Sequence, residues 1–161
     1  MARFDTKFST GRQDWETPDS IFAPLNEEFS FTLDVCATKA NAKCSHYFTE
    51  VDNALNKQWR GRCWMNPPFG TQGKWVKKAF EESQRGATIV CLLPSRTNTS
   101  WWHDYCMKGE IRFIRGRPRF KGAKHGLPQP LAIVIFDSTK KTSEREVFLC
   151  DTGQLVKESD F

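Results

Sequence analysis

Apolar positions along the chain follow two different periods. Residues 87–93 (ATIVCLL) form an unbroken apolar run stopped by Pro94, the pattern of a strand buried on both faces. Residues 29–35 (FSFTLDV) alternate apolar with polar side chains and predict a strand that ends at Asp34. Residues 62–65 (RCWM) predict a short strand cut off by a double proline, and further strands are expected at 111–114, 131–136 and, as a last edge strand, 146–150. A helical period takes over at 73–85, where Trp75, Val76, Ala79 and Phe80 share one face. Residues 100–107 predict another helix. An earlier one starts with Thr17 as N-cap and Pro18 in the first helical position, and turns Ile21, Phe22 and Leu25 inward. The first dozen residues are polar, and a mobile start is expected.

Strands alternating with helices predict an α/β fold with a mainly parallel central sheet. With no repeat and no low-complexity linker, residues 1–161 read as a single domain. In such sheets ligands sit beyond the carboxyl ends of the strands. Asp34, Asn66 and Pro94 all fall at predicted strand ends, so three candidate site elements line one edge.

Composition refines this picture in a few places. Six Trp and thirteen Phe are many for 161 residues. Some belong to the core, yet flat π-faces are also what base stacking requires. The net charge of +5 and a pI near 8.9 suit a polyanionic partner and equally a solvated basic surface. The six cysteines form no C-x-x-C pair, and His46, His103 and His125 do not share ligand spacing with them, so no metal site is expected. No apolar run is long enough to span a bilayer and no hydrophobic signal segment opens the chain, which predicts a cytoplasmic protein with reduced thiols.

The sharpest signal is Asn66-Pro67-Pro68-Phe69. Adjacent prolines arise by chance roughly once in 400 positions, and a flanking Asn and Phe make the match rarer still. Two prolines fix φ and remove two N–H donors, so the segment presents carbonyls and the Asn66 amide, a cluster suited to accept hydrogen bonds from an NH₂ group. Phe69 adds a flat face beside them. A rigid strand-ending turn with Phe69 in the core is the competing reading. No Cys follows a Pro, so no thiolate nucleophile in a Pro-Cys setting is expected.

The tetrapeptide resembles the D/N/S-P-P-Y/F/W signature of methyltransferases that modify exocyclic amines. The chain as a whole resembles the phage-type DNA adenine methyltransferase (Dam) family. Trp15-Glu16-Thr17-Pro18, Leu33-Asp34-Val35-Cys36-Ala37, Asp52 with Leu55 and Trp59, Leu93-Pro94-Ser95-Arg96 and Arg112 to Arg117 occur in that family's order. The resemblance implies a Rossmann-like methyltransferase fold, S-adenosylmethionine as cofactor and double-stranded DNA as substrate. It also implies a phage or prophage origin, with restriction protection as a plausible role. Asn66, Pro67, Pro68 and Phe69 would be catalytic. Trp15, Thr17 and Pro18 would line the cofactor, Asp34 with Cys36 and Ala37 would form its motif after the first strand, and Asp52 would contact ribose or adenine. One departure stands out, since the usual glycine-rich turn after the first strand is absent from 34–38.

A candidate DNA-recognition region covers residues 95–130. Arg115, Arg117, Arg119 and Lys121 recur every second residue, share one face of an extended chain, and have Phe120 interleaved and Lys124 following. Such a stripe can track phosphates while one Arg reads guanine. Lys74, on the helix after the tetrapeptide, and Arg96, in the loop after the central strand, are further candidates. A monomer or weak dimer is expected. Two rivals stay open: methylation of cytosine N4, RNA or protein glutamine, and a catalytically inert nucleic-acid-binding module of the same fold.

Overall fold

The computed structural model describes residues 16–121, 123 and 129–140, together with the main chain of two strands at 146–149 and 155–157. The expected mobile start, Trp15 and Lys124 lie outside the described residues. Among the described residues seven strands form one sheet in the order β1-β2-β3-β5-β4-β6-β7. They are β1 (Leu33–Asp34), β2 (Arg62–Met65), β3 (Thr88–Pro94), β4 (Glu110–Arg115), β5 (Leu131–Phe136), β6 (Glu146–Leu149) and β7 (Leu155–Lys157). The helices are α1 (Asp19–Phe29), α2 (Gln72–Gln84) and α3 (Ser100–Asp104).

The sheet is mixed, which corrects the expectation of a mainly parallel one. β1–β2, β2–β3 and β4–β6 pair in parallel, while β3–β5, β4–β5 and β6–β7 pair antiparallel. The longest ladder, from Ile89↔Phe136 to Pro94↔Leu131, is antiparallel. A buried apolar run carries no mark of its direction, because both faces are covered whichever way the strand runs. β6 lies between β4 and β7 and is not the edge strand expected of it.

Period-two alternation sorts the central strands between two cores. Ile89, Cys91 and Leu93 of β3, with Ala132, Val134 and Phe136 of β5, face a core shared with Val76 and Ala79 of α2 and Trp102 of α3. Val90, Leu92, Leu131, Ile133 and Ile135 face the other, where α1 contributes Ile21, Phe22, Leu25 and Phe29. Among the described residues one helix therefore packs on one face and two on the other.

The strand predicted over 29–35 shrinks to two residues. Phe29 is the last residue of α1, Ser30 takes the left-handed conformation (φ 51°), and Asn26 Oδ1 accepts from the Phe31 N–H at 3.1 Å. The apparent alternation came from a helix end and a turn: Phe29 stacks on Phe31 at 5.9 Å, and Phe31 packs on Trp64 at 5.6 Å. The start of α1 is also shifted by one residue. Pro18 is the cap position, and no side chain caps the helix. Thr17 is used elsewhere.

Candidate active site

β1, β2 and β3 are adjacent and parallel, so their carboxyl ends meet on one edge of the sheet. Asn66 follows β2 directly. Pro67 and Pro68 cannot extend the ladder, and Gly70, at φ 92°, swings the chain into α2. Gln72 Oε1 accepts from the Gly70 N–H at 3.0 Å and closes the turn. Pro67 is buried and Pro68 half-buried. Phe69 is 41% exposed, so its ring is not a core ring and remains available to a partner.

Asn66 is half-buried, and its Nδ2 donates to Thr17 Oγ1 at 3.1 Å across a separation of 49 residues. Thr17 is only 2% exposed. With the amide nitrogen engaged, the Asn66 carbonyl oxygen is left as an acceptor. Both residues line a polar cleft, together with Glu16, Asp34, Cys36, Asn41, Lys43 and Trp64.

Asp34 builds the back of this cleft. Its Oδ1 accepts from the Cys36 N–H at 3.2 Å and its Oδ2 from the Lys43 N–H at 3.0 Å. The carboxylate thus gathers in the glycine-free loop that follows β1. Burial pushes its pKa above the ordinary 3.8, against the two N–H bonds and the Lys43 charge. Burial, and then the Asp34 charge, push the Cys36 thiol well above 9.0, so it stays protonated at neutral pH.

At the front of the cleft Lys43 Nζ lies 2.8 Å from Glu16 Oε1 and 5.5 Å above the Phe22 ring. Lys121 Nζ reaches the same Glu16 oxygen at 3.1 Å, and the two main chains meet as an isolated bridge. Hydrogen bonds from Lys43 and then Lys121 hold the Glu16 carboxyl below its ordinary 4.5.

The edge therefore brings together Thr17, Asp34, Cys36 and Asn66, all named from sequence. It does not bring in Pro18, Ala37 or Asp52. The Pro18 carbonyl accepts the Ile21 and Phe22 N–H groups, and Ala37 is buried with its N–H on the Phe48 carbonyl. The Asp52 carboxylate accepts from the Thr49 N–H and hydroxyl at 2.7 and 2.9 Å, a capping box of a single 3₁₀ turn. Those two bonds hold its pKa below the ordinary value. Sequence reasoning missed Glu16, Asn41, Lys43 and Trp64. Glu16 sits between two residues that were singled out, and that adjacency was the available signal; nothing local marks Lys43, 27 residues away.

The basic segment keeps its alternation. Arg117, Arg119 and Lys121 are exposed, while Pro118 and Phe120 between them are buried. Phe120, grouped from sequence with the DNA-binding stripe, is 2% exposed and packs in the α1-side core. Period two that points the cations outward necessarily turns Phe120 inward. Gly116, at φ 86°, separates Arg115 at the end of β4 from the rest of the stripe. Arg112, part of the same run, is buried and paired with Glu28 Oε2 at 2.7 Å and Glu110 Oε1 at 2.6 Å. Lys74, Arg96 and Arg115 are exposed.

An α/β sheet that seats an Asn-Pro-Pro-Phe turn on its carboxyl edge, above a polar cleft, has the layout of an amino-group methyltransferase. The family model described as DNA N-6-adenine-methyltransferase (Dam) matches residues 5–148, and the chain belongs to that family. It is 36% identical over 118 residues to the DNA N-6-adenine-methyltransferase of Haemophilus phage HP1 (strain HP1c1), covering 68% of each chain. It is 33% identical over 94 residues to the DNA N-6-adenine-methyltransferase of Escherichia phage T1, covering 56% of this chain and 39% of that one. Among the described residues no helix is long and apolar enough to cross a membrane, and no cluster of three metal-ligating side chains occurs.

Proposed function

We propose that this protein is a DNA adenine-N6 methyltransferase that draws its methyl group from S-adenosylmethionine and acts on double-stranded DNA inside a bacterial host cell. The domain is read as a Rossmann-like methyltransferase fold, single over the chain, working as a monomer or weak dimer. The observation that carries the reading is the Asn66-Pro67-Pro68-Phe69 turn set beside a polar cleft on the sheet edge, in a chain of the Dam family.

The cleft suits the cofactor in charge and in chemistry. Its lining carries two carboxylates and one ammonium, a net negative set, and the ligand carries a net positive charge. S-adenosylmethionine supplies an electrophilic methyl group on a sulfonium. The protein supplies position and acceptors. Adenine N6 lies inside the duplex, so the base must leave the stack, at roughly a few kcal/mol. Phe69, exposed beside the turn, stacks on the extruded ring. Asn66 Oδ1 and the Pro67 carbonyl accept the two N6–H bonds and draw the nitrogen lone pair out of the ring. Thr17 holds the Asn66 amide in that role. Acceptors fixed before the reaction lower its barrier without reorganising during it. Lys74, Arg96, Arg115, Arg117, Arg119 and Lys121 form the DNA-facing set.

The test is methyl transfer from labelled S-adenosylmethionine to DNA lacking adenine methylation, followed by digestion to nucleosides. Label in N6-methyladenine that disappears with Asn66→Ala supports the reading. Label in N4-methylcytosine, RNA or protein moves the substrate, and absence of both transfer and cofactor binding favours an inert binding module.

A further inference from the structure

The Glu16–Lys43 pair is placed as a receptor and not only as a clip. Both residues line the cleft with Asn66 and Asp34. The Lys43 side chain is nine-tenths buried, at 9% exposure, which is unusual for a lysine with a long flexible stem. Burial at this depth removes it from ordinary surface salt-bridge duty, where a pair is worth little.

Counting donors and acceptors leaves room on both partners. An ammonium has three N–H groups. Lys43 gives one to Glu16 Oε1 at 2.8 Å, while Asp19 Oδ1 at 3.9 Å lies beyond hydrogen-bond reach. Glu16 receives both Lys43 and Lys121 on Oε1, and among the described residues its Oε2 accepts no hydrogen bond. One carboxylate acceptor and at least one ammonium donor therefore remain side by side at the mouth of a polar cleft. That pairing suits an α-amino acid zwitterion, with Lys43 donating to its carboxylate and Glu16 accepting from its ammonium.

We propose that Lys43 and Glu16 bind the amino-acid head group of the methyl donor. This rests on the cofactor reading of the cleft given above. It assigns the head group to charged side chains of the loop that Asp34 folds and of the segment before α1, two places without any nucleotide-binding glycine motif.

The experiment is calorimetric binding of two thioethers to the full chain: S-adenosylhomocysteine, which has the head group, and 5′-methylthioadenosine, which lacks it. Wild type should prefer the first. Lys43→Gln and Glu16→Gln should each lose roughly 10- to 100-fold in affinity for S-adenosylhomocysteine, the worth of one charge-assisted hydrogen bond, and leave 5′-methylthioadenosine unchanged. Lys43→Arg should keep most of the preference. Equal losses for both ligands, or none, would overturn the assignment. In wild type alone, S-adenosylhomocysteine should shield Lys43 from amine acylation, read by mass spectrometry, and 5′-methylthioadenosine should not. Absence of shielding overturns the assignment even where the glutamine variants fail to fold. If wild type binds neither nucleoside, the cofactor reading itself fails; if it binds both equally, only the head-group assignment does.

Discussion

Thr17 Oγ1 and Asn66 Nδ2 lie 3.1 Å apart, joining the segment before α1 to the turn after β2. The bond occupies the donor end of the Asn66 amide and reserves the acceptor end for an incoming amine. Thr17→Val removes the hydroxyl at nearly constant volume and should lower kcat about 10-fold, the cost of one hydrogen bond to a positioned group. Thr17→Ser should restore most of it. A Thr17→Val enzyme with wild-type kcat would show that the amide needs no such anchor.

The basic segment gives two opposite outcomes from neighbouring residues. Arg117→Ala and Arg119→Ala should leave thermal stability intact and weaken DNA binding. Each should reduce the slope of log affinity against log salt by about 0.9. Phe120→Ala should instead cost about 3–5 kcal/mol of stability, since its ring is buried in the core. A Phe120→Ala protein of normal stability with impaired DNA binding would return this ring to the surface role expected from sequence.

Glu82 is fully buried in α2 and paired with Lys78, with Arg85 at 2.8 Å and with the Trp59 N–H at 3.2 Å. Burial pushes its pKa up, but Lys78, the Trp59 N–H and Arg85 together outweigh that and hold it below the ordinary 4.5. A depressed carboxyl stabilises the fold above its unfolded value and loses that contribution as pH falls through the folded one. Stability should decline on the acid side below about pH 4.5, and Glu82→Gln should flatten that limb. At neutral pH the same change should cost about 3 kcal/mol, because it strands Lys78. Urea melts across pH 3 to 7 decide it.

Cysteine chemistry should be dispensable. Burial raises the Cys63 thiol to about 12 and the Cys44 thiol to about 11, and it keeps Cys36 protonated inside the cleft. Cys36→Ala keeps the N–H that Asp34 accepts, and its methyl-transfer rate should stay within about twofold of wild type, a difference well under 1 kcal/mol. Alkylation at pH 8 should reach Cys63 only on unfolding. A dead Cys36→Ala enzyme that still binds cofactor would point to a thiol role.

Much of the fold was legible because packing imposed a simple period. β5 lies at 131–136 as expected, and β3 and α2 are each offset by one residue at their ends. The turn at Asn66 was legible because two prolines dictate backbone geometry without help from the rest of the chain. Strand direction was not, since burial on both faces hides it. Nor was the use of Thr17, whose partner is 49 residues away, or the bond by which Asp34 gathers in the main chain of Lys43, nine residues on. Phe120 was misplaced because alternation names two faces without saying which one is wet.

The helix α1, packed on one face of the central strands, also fastens the cleft. Glu28, near the far end of α1, grips Arg112 of β4 with both oxygens, at 2.7 and 2.8 Å. Just ahead of its near end stand Glu16 and Thr17. Proteins open in units smaller than the whole molecule, and a single helix is a natural unit. Unfolding of α1 alone would carry away the front wall of the cleft and leave the sheet in place. Inactivation by mild denaturant should therefore precede melting of the strands, and loosening the Glu28–Arg112 clasp should widen the gap between the two events.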